Sequence, residues 1–354
     1  MPPIDPADLE AVLEEGRPDL EDIRGQHLLV TGATGFVGSW LLETAAYANR
    51  VTGLGIRVTA LVAPGVDLRT EAPHLLALDG VTFIEGDVCT IDRPDMVAKH
   101  PELGAIDSVI HAAIAVDAAT IGRNPMPTLD SAVEGTRRTL ALAQASGARR
   151  FLFLSSGAVY GQAPPGLEHF AESYRGAPDP TDPAQVYAEG KRIGEMMCAC
   201  VTRAYGMETV IARLFAFVGP HLRLDRHYAV GNFMRDALSG QPIVVKSDGT
   251  AIRSYLYAGD MATWLWALLR RGESGRAYNV GSSRAVSIAQ LAAQVAELAD
   301  PPVPVQIEGV AAEDAPRNRY LPDLTLVKES LAVRETVSLE DALARTMRWH
   351  RRHA

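Results

Sequence analysis

The stretch 27-HLLVTGATGFVGSWLLETAAYAN-49 decides how the rest of the chain is read. HLLVT is a short apolar run of strand type, Gly32 follows at once, and FVGSWLL then repeats at helical spacing. The glycines fall at 32, 35 and 38. In a strand–turn–helix of this kind the first glycine makes the turn and the second lets the backbone approach a pyrophosphate. The third permits close packing of helix on sheet, and the helix N-terminus faces the phosphates. Gly32, Thr34, Gly35, Phe36, Val37 and Gly38 are therefore the expected cradle of a dinucleotide. No GK[ST] follows, which excludes a phosphate loop of the ATPase type.

Outward from this turn the pattern repeats. RVTALVAP (57–64), VTFIEGDV (81–88), SVIHAAI (108–114), RRFLFLSSGAVYG (149–161) and METVIARLFAFVG (207–219) read as strands. Helical periodicity occupies 126–147 and 184–205. Apolar strands alternating with helices predict an α/β, Rossmann-type doubly wound parallel sheet, covered on both faces. Residues 1–26 read as an N-terminal helical extension and 27–218 as the dinucleotide-binding domain. Residues 219–354 read mainly as a smaller substrate-binding lobe, with some segments returning to the first domain.

With 354 residues, 47% of them hydrophobic, the chain can bury a large core. A net charge of -9 and the lack of a basic run argue against nucleic acid as a partner. The acidic N-terminus has no apolar signal-type core and no run is long enough for a membrane span, so a cytoplasmic protein is expected. The three cysteines, Cys89, Cys198 and Cys200, form no CxxC, so neither a disulfide framework nor a metal site is expected.

The choice between NAD and NADP stays open. An NAD site usually has a carboxylate at the end of the second strand, where this chain has Val62 and Ala63. Arg69 could reach a 2'-phosphate, but Asp67 stands beside it. Asp87, Val88 and Ala112, at the ends of the third and fourth strands, are further expected cofactor contacts. Asp87 has an equally good reading as a turn residue.

In 187-YAEGK-191 the tyrosine and lysine lie four apart and share a helix face. A phenol with a pKa of about 10 is a poor base at neutral pH. A nearby ammonium and a positively charged nicotinamide would favour the phenolate. Tyr187 could then take a hydroxyl proton as hydride leaves the same carbon, and Ser156, ending the fifth strand, could hold the reacting oxygen.

TGATGFVGS, GDV, HAA, SSGAVYG, YAEGK, RLFAFVGP, IRSYLYAGD and YNVGS stand in the order of the extended short-chain dehydrogenase/reductase family. The chain resembles its nucleotide-sugar branch, over roughly residues 27–285, and YAEGKR is similar to the UDP-glucuronate decarboxylases. The resemblance implies a catalytic set of Ser156, Tyr187 and Lys191, a nucleotide-diphosphate sugar as substrate, and Arg223 and Arg253 facing its diphosphate. It implies a homodimer through the helices near 126–145 and 184–205. His111 is expected to pack beside the cofactor rather than to catalyse.

Two departures narrow the reaction. Dehydratases of this family carry an Asp–Glu pair after the strand-end Ser/Thr, and the decarboxylases a Glu. This chain has Gly157 and Ala158. Neither can protonate a departing hydroxyl, which opposes dehydration and more weakly decarboxylation, since loss of CO2 from a 4-keto sugar needs mainly the ketone as electron sink. The second departure is Ala216, where the family has Asn. The expected function is an NAD(P)-dependent nucleotide-sugar epimerase working through a transient 4-keto sugar. The alternatives are an NAD(P)H-dependent 4-ketoreductase, a UDP-glucuronate decarboxylase-like enzyme and a non-catalytic dinucleotide-binding protein.

Overall fold

A computed structural model of the chain describes residues 2–100, 103–114, 118–225, 228–310 and 318–352. Seven strands form one parallel sheet: β1 (His27–Thr31), β2 (Arg57–Val62), β3 (Val81–Glu85), β4 (Ser108–His111), β5 (Arg150–Ser156), β6 (Glu208–Leu214) and β7 (Arg276–Val280). Their spatial order is β7-β6-β5-β4-β1-β2-β3. The chain runs outward from β1 in one direction, then returns to build outward from its other edge. That reversal opens a crevice at the carboxyl ends of β1 and β4, where ligands bind in sheets of this type.

Successive strand residues point to opposite faces, and the burial follows that period. Leu28, Val30, Leu152, Leu154, Val210 and Ala212 enter one core. Leu29, Phe151, Phe153 and Ile211 enter the other. This is why the strands read as continuous apolar runs: both of their faces are dry.

The first core is completed by α1 (Pro6–Glu21), α2 (Phe36–Thr52), α5 (Ala258–Arg271) and α6 (Leu339–Arg351). The second is completed by α3 (Met126–Ala145) and α4 (Val186–Tyr205). Asp5 caps α1 by accepting the Ala7 amide, with Pro6 in the first turn where no amide partner is needed. Leu9, Val12, Leu13 and Leu20 of α1 are buried in the first core. Tyr257 Oη and Arg345 both donate to Asp8, each at 2.6 Å, so α1 is fastened to the C-terminal half. Where α3 meets α4, a Cβ on Gly190 would lie 2.5 Å from that of Ala132.

Residues 219–225, 228–310 and 318–352 supply short strands beside the carboxyl end of the main sheet. Ile252–Arg253 pairs with both Val286–Ser287 and Arg319–Tyr320. From the same half, β7 returns to pair with β6. Residues 226–227 and 311–317 lie outside the described residues. Among the described residues no helix is long and apolar enough to cross a membrane.

Candidate active site

The glycine turn sits at the β1 end of the crevice. Gly32 has φ +66°, and a Cβ there would come within 2.7 Å of Ala112 C and Ala113 N. A Cβ on Gly38 would strike the carbonyls of Ala33 and Gly32 at 2.5 Å. These two positions are closed by protein backbone. Gly35 differs: it is exposed, and a Cβ there would meet only the Gly32 carbonyl, at 3.3 Å. It is the N-cap of α2 and offers no side chain to the helix amides, so the helix start is left to an external anion. This cradle fits the pyrophosphate of a dinucleotide. Thr34, Phe36 and Val37 border it, each partly buried.

Other expected cofactor contacts are more dispersed. Ala112 follows β4 and donates its amide to Thr31 O at 3.2 Å. Val88 packs under α3, where a Cβ on Gly135 would reach it at 2.9 Å. Asp87 accepts the Cys89 amide at 2.9 Å, the geometry of its turn reading, and the residue is exposed. Arg69 is exposed, while Asp67 beside it caps its own short helix by accepting from Arg69 N and Thr70 Oγ1.

The residues expected to react gather on β5 and α4. Ser156 ends β5 and caps the turn after it by accepting the Ala158 amide at 3.2 Å. Its hydroxyl lies near the phenols of both Tyr187 and Tyr320 and favours their ionised forms. Lys191, one turn along α4, is buried. Its Nζ donates to Leu154 O at 2.5 Å and stands 4.9 Å from the Phe153 ring centre.

The electrostatics differ from the expectation drawn from spacing. Burial pushes the Tyr187 phenol up to about 12, against a lowering contribution from Ser156. Burial also brings Lys191 down to about 8. The lysine is turned to a backbone carbonyl, so its proximity does not outweigh desolvation of the phenol. His111 has Nδ1 2.7 Å from Thr31 Oγ1 and Nε2 3.2 Å from Thr136 Oγ1. Burial, then the Lys191 charge, hold it down at about 3, so it is neutral. With both nitrogens occupied, it joins β1, β4 and α3 and has no nitrogen free for proton transfer.

Of the two arginines expected at the substrate, Arg253 lies beside this group. It is partly buried, lies 5.9 Å over the Tyr320 ring, and donates to Ile252 O and Asn318 O. Arg223 is exposed and forms a two-point ion pair with Asp225. The sequence reading missed Tyr320 and Phe215, whose rings meet at 4.6 Å above Gly157. Nothing local marks Tyr320, because only tertiary pairing of Arg319–Tyr320 with Ile252–Arg253 carries it to β5.

A seven-stranded sheet with a glycine turn at its switch point, and a serine, tyrosine and lysine on the adjoining strand and helix, is the layout of a dinucleotide-dependent oxidoreductase. The chain belongs to the NAD dependent epimerase/dehydratase family, which it matches over residues 28–281. It is 34% identical over 316 residues to UDP-glucuronic acid decarboxylase 5 of Arabidopsis thaliana, covering 89% of this chain and 86% of that protein. UDP-glucuronic acid decarboxylase 1 of the same plant is 31% identical, over 90% of this chain and 68% of that one. Among solved structures, an epimerase from Methanothermobacter thermautotrophicus superposes with a TM-score of 0.78 at 26% identity, over 95% of both chains. The resemblance to extended short-chain dehydrogenases/reductases thus holds, and the chain is an NAD(P)-dependent enzyme of nucleotide-sugar modification.

Proposed function

We propose that the enzyme oxidises C4 of a nucleotide-diphosphate uronic acid and releases its C6 carboxylate as CO2, with Tyr187 as the acid–base group. The carrying observation is the level of identity to UDP-glucuronic acid decarboxylases along nearly the whole chain. This puts the decarboxylase alternative ahead of the epimerase favoured from Gly157 and Ala158.

Bound NAD(P) supplies the acceptor for the C4 hydride, returns it at the end, and in its oxidised form brings the positive charge that favours a phenolate. Ser156 holds the C4 oxygen, and Tyr187 removes its proton. The resulting C4 ketone is β to the carboxylate. The C5–C6 bond can then break with its electron pair drawn into the ketone, which needs no carboxylic acid at positions 157 or 158. C5 takes up a proton, and Tyr187 gives its proton back to the C4 oxygen. Lys191 orients the helix face through Leu154 O. Arg253 holds the diphosphate. The same reading takes α3 and α4 as a homodimer face, supported by Ile193 and Met196, exposed at 38% and 66% on α4.

One observation favours a 4-epimerase as the second reading. Gly157 and Ala158 leave no acid beside Ser156, and the space above Gly157 is filled by Tyr320 and Phe215. The purified enzyme incubated with UDP-glucuronate, and its products separated by chromatography and mass, distinguishes the two. A UDP-pentose absent with Tyr187→Phe supports decarboxylation. A product of unchanged mass and altered retention supports epimerisation. No conversion, with the cofactor bound, rejects UDP-glucuronate as the substrate.

A further inference from the structure

Away from the crevice, three side chains from distant parts of the chain converge. Glu43 lies midway along α2, His74 on the 3-10 turn Pro73–Ala77, and His221 on the loop after Phe217–Val218. Their side chains are 2%, 9% and 0% exposed. One donor atom from each lies within 4.8 Å of the other two. His221 Nε2 is 2.7 Å from Glu43 Oε1, and His74 Nε2 approaches the same oxygen to 3.2 Å. The second oxygen, Oε2, accepts the Ile4 amide at 2.8 Å, which fixes the carboxylate.

Local hydrogen bonding leaves this group incomplete. Nδ1 of both histidines is buried without a hydrogen-bond partner, and His74 Nε2 has only its 3.2 Å approach to Glu43, which does not make a hydrogen bond. Unpartnered buried nitrogens are costly, and native interiors seldom leave them so. His221 also holds φ +70°, a left-handed backbone that a histidine adopts at a cost, and Trp349 packs edge-on against its ring at 5.0 Å. The fold thus directs this imidazole at Glu43 under strain.

We propose that Glu43, His74 and His221 bind one divalent transition-metal ion of the zinc class. Neutral imidazoles and a carboxylate are its ligand set. Around tetrahedral zinc, neighbouring ligand atoms lie about 3.3 Å apart, so the Glu43–His74 edge is already in place and the Glu43–His221 edge opens by about half an ångström. The two rings are nearly parallel at 12°, with centroids 5.2 Å apart. Water completes the shell on the side where His74 reaches the surface. The ion would tie α2, the turn after β2 and the loop leading to Arg223, all gathered under the N-terminal segment at Ile4. No short sequence spacing reveals this set, because its ligands are dispersed. The proposal stands independently of the reaction the enzyme performs.

The full-length protein, stripped by a chelator and dialysed against zinc, is analysed for bound metal and for thermal unfolding with zinc or magnesium. The comparison includes His74→Gln, which lies at the surface side of the cluster, and Cys200→Ser, which removes an exposed thiol. One zinc per chain is expected in the parent and in Cys200→Ser, with the melting temperature raised about 3 °C by zinc and unmoved by magnesium. His74→Gln should bind zinc at least tenfold more weakly and lose the shift. No stoichiometric zinc in the parent, equal binding by His74→Gln, or loss of binding in Cys200→Ser would each overturn the proposal.

Discussion

A Cβ at Gly157 would lie 2.5 Å from the Tyr320 hydroxyl and 2.8 Å from Phe215 Cζ, so the glycine and the tyrosine share one space. Where the family resemblance leads one to expect carboxylic acids after the strand-end serine, this chain brings an aromatic hydroxyl from its C-terminal half. Gly157→Ala should therefore overpack the site and cost about 1–3 kcal/mol. Tyr320→Phe removes the nearer obstacle, so the double variant should recover part of that loss. A double-mutant cycle by urea unfolding measures the coupling, expected at about 0.5 kcal/mol or more. Strict additivity would show that the two residues do not compete.

The two arginines expected at the substrate diphosphate differ in environment, and so should their variants. Arg253 is partly buried beside Tyr320, whereas Arg223 is neutralised by Asp225 in solvent. Arg253→Ala should raise KM for the nucleotide sugar by about tenfold or more, the loss expected for a charge-assisted hydrogen bond. Arg223→Ala should change it less than about threefold, as surface pairs usually contribute little. Steady-state kinetics on both variants decides this, and the reverse order would move the diphosphate to the 221–225 loop.

Beneath β5 lies a polar network with a predictable weak point. Glu195 accepts from Ser155 Oγ at 2.6 Å and from Arg213 at 3.0 and 2.7 Å. Arg213 also donates to Tyr160 Oη, whose own proton goes to Asn279 Oδ1. Removing the carboxylate leaves the guanidinium largely buried and unpaired, which costs about 3–5 kcal/mol. Glu195→Ala should show that loss in chemical denaturation, and Glu195→Gln less of it. A change below about 1 kcal/mol in the alanine variant would mean that solvent reaches Arg213.

The fold was legible in the sequence because both cores are fed by alternate residues of continuous apolar strands. Leu28, Leu29 and Val30 already contain that pattern. The glycine turn was legible because Gly32 and Gly38 have backbone within van der Waals contact, a constraint that no other residue type meets. Tyr187 and Lys191 were legible as a pair through helical spacing. What spacing could not convey was the direction of the lysine ammonium, which depends on the Leu154 carbonyl of another element. Tyr320 and the Glu43–His74–His221 cluster were illegible for the same reason: their neighbours are created by tertiary structure alone.

Lys191 also gives the stability a pH dependence whose sign can be worked out. Burial lowers it to about 8 from the ordinary 10.5. Below about pH 8 the lysine is protonated in both the folded and the unfolded chain, and the folded state bears the cost of a buried charge. Between about pH 8 and 10.5 the unfolded chain binds a proton that the folded chain has released, so stability rises with pH across this window. The full rise is at most about 3 kcal/mol. Other groups titrate there too, but they are common to a Lys191→Met variant, so the difference between the two curves isolates Lys191. Urea midpoints for both proteins from pH 7 to 10.5 should diverge in slope, with the parent gaining relative to the variant. Parallel curves would mean that Lys191 keeps its proton throughout, held as a cation by the Leu154 carbonyl and the Phe153 ring.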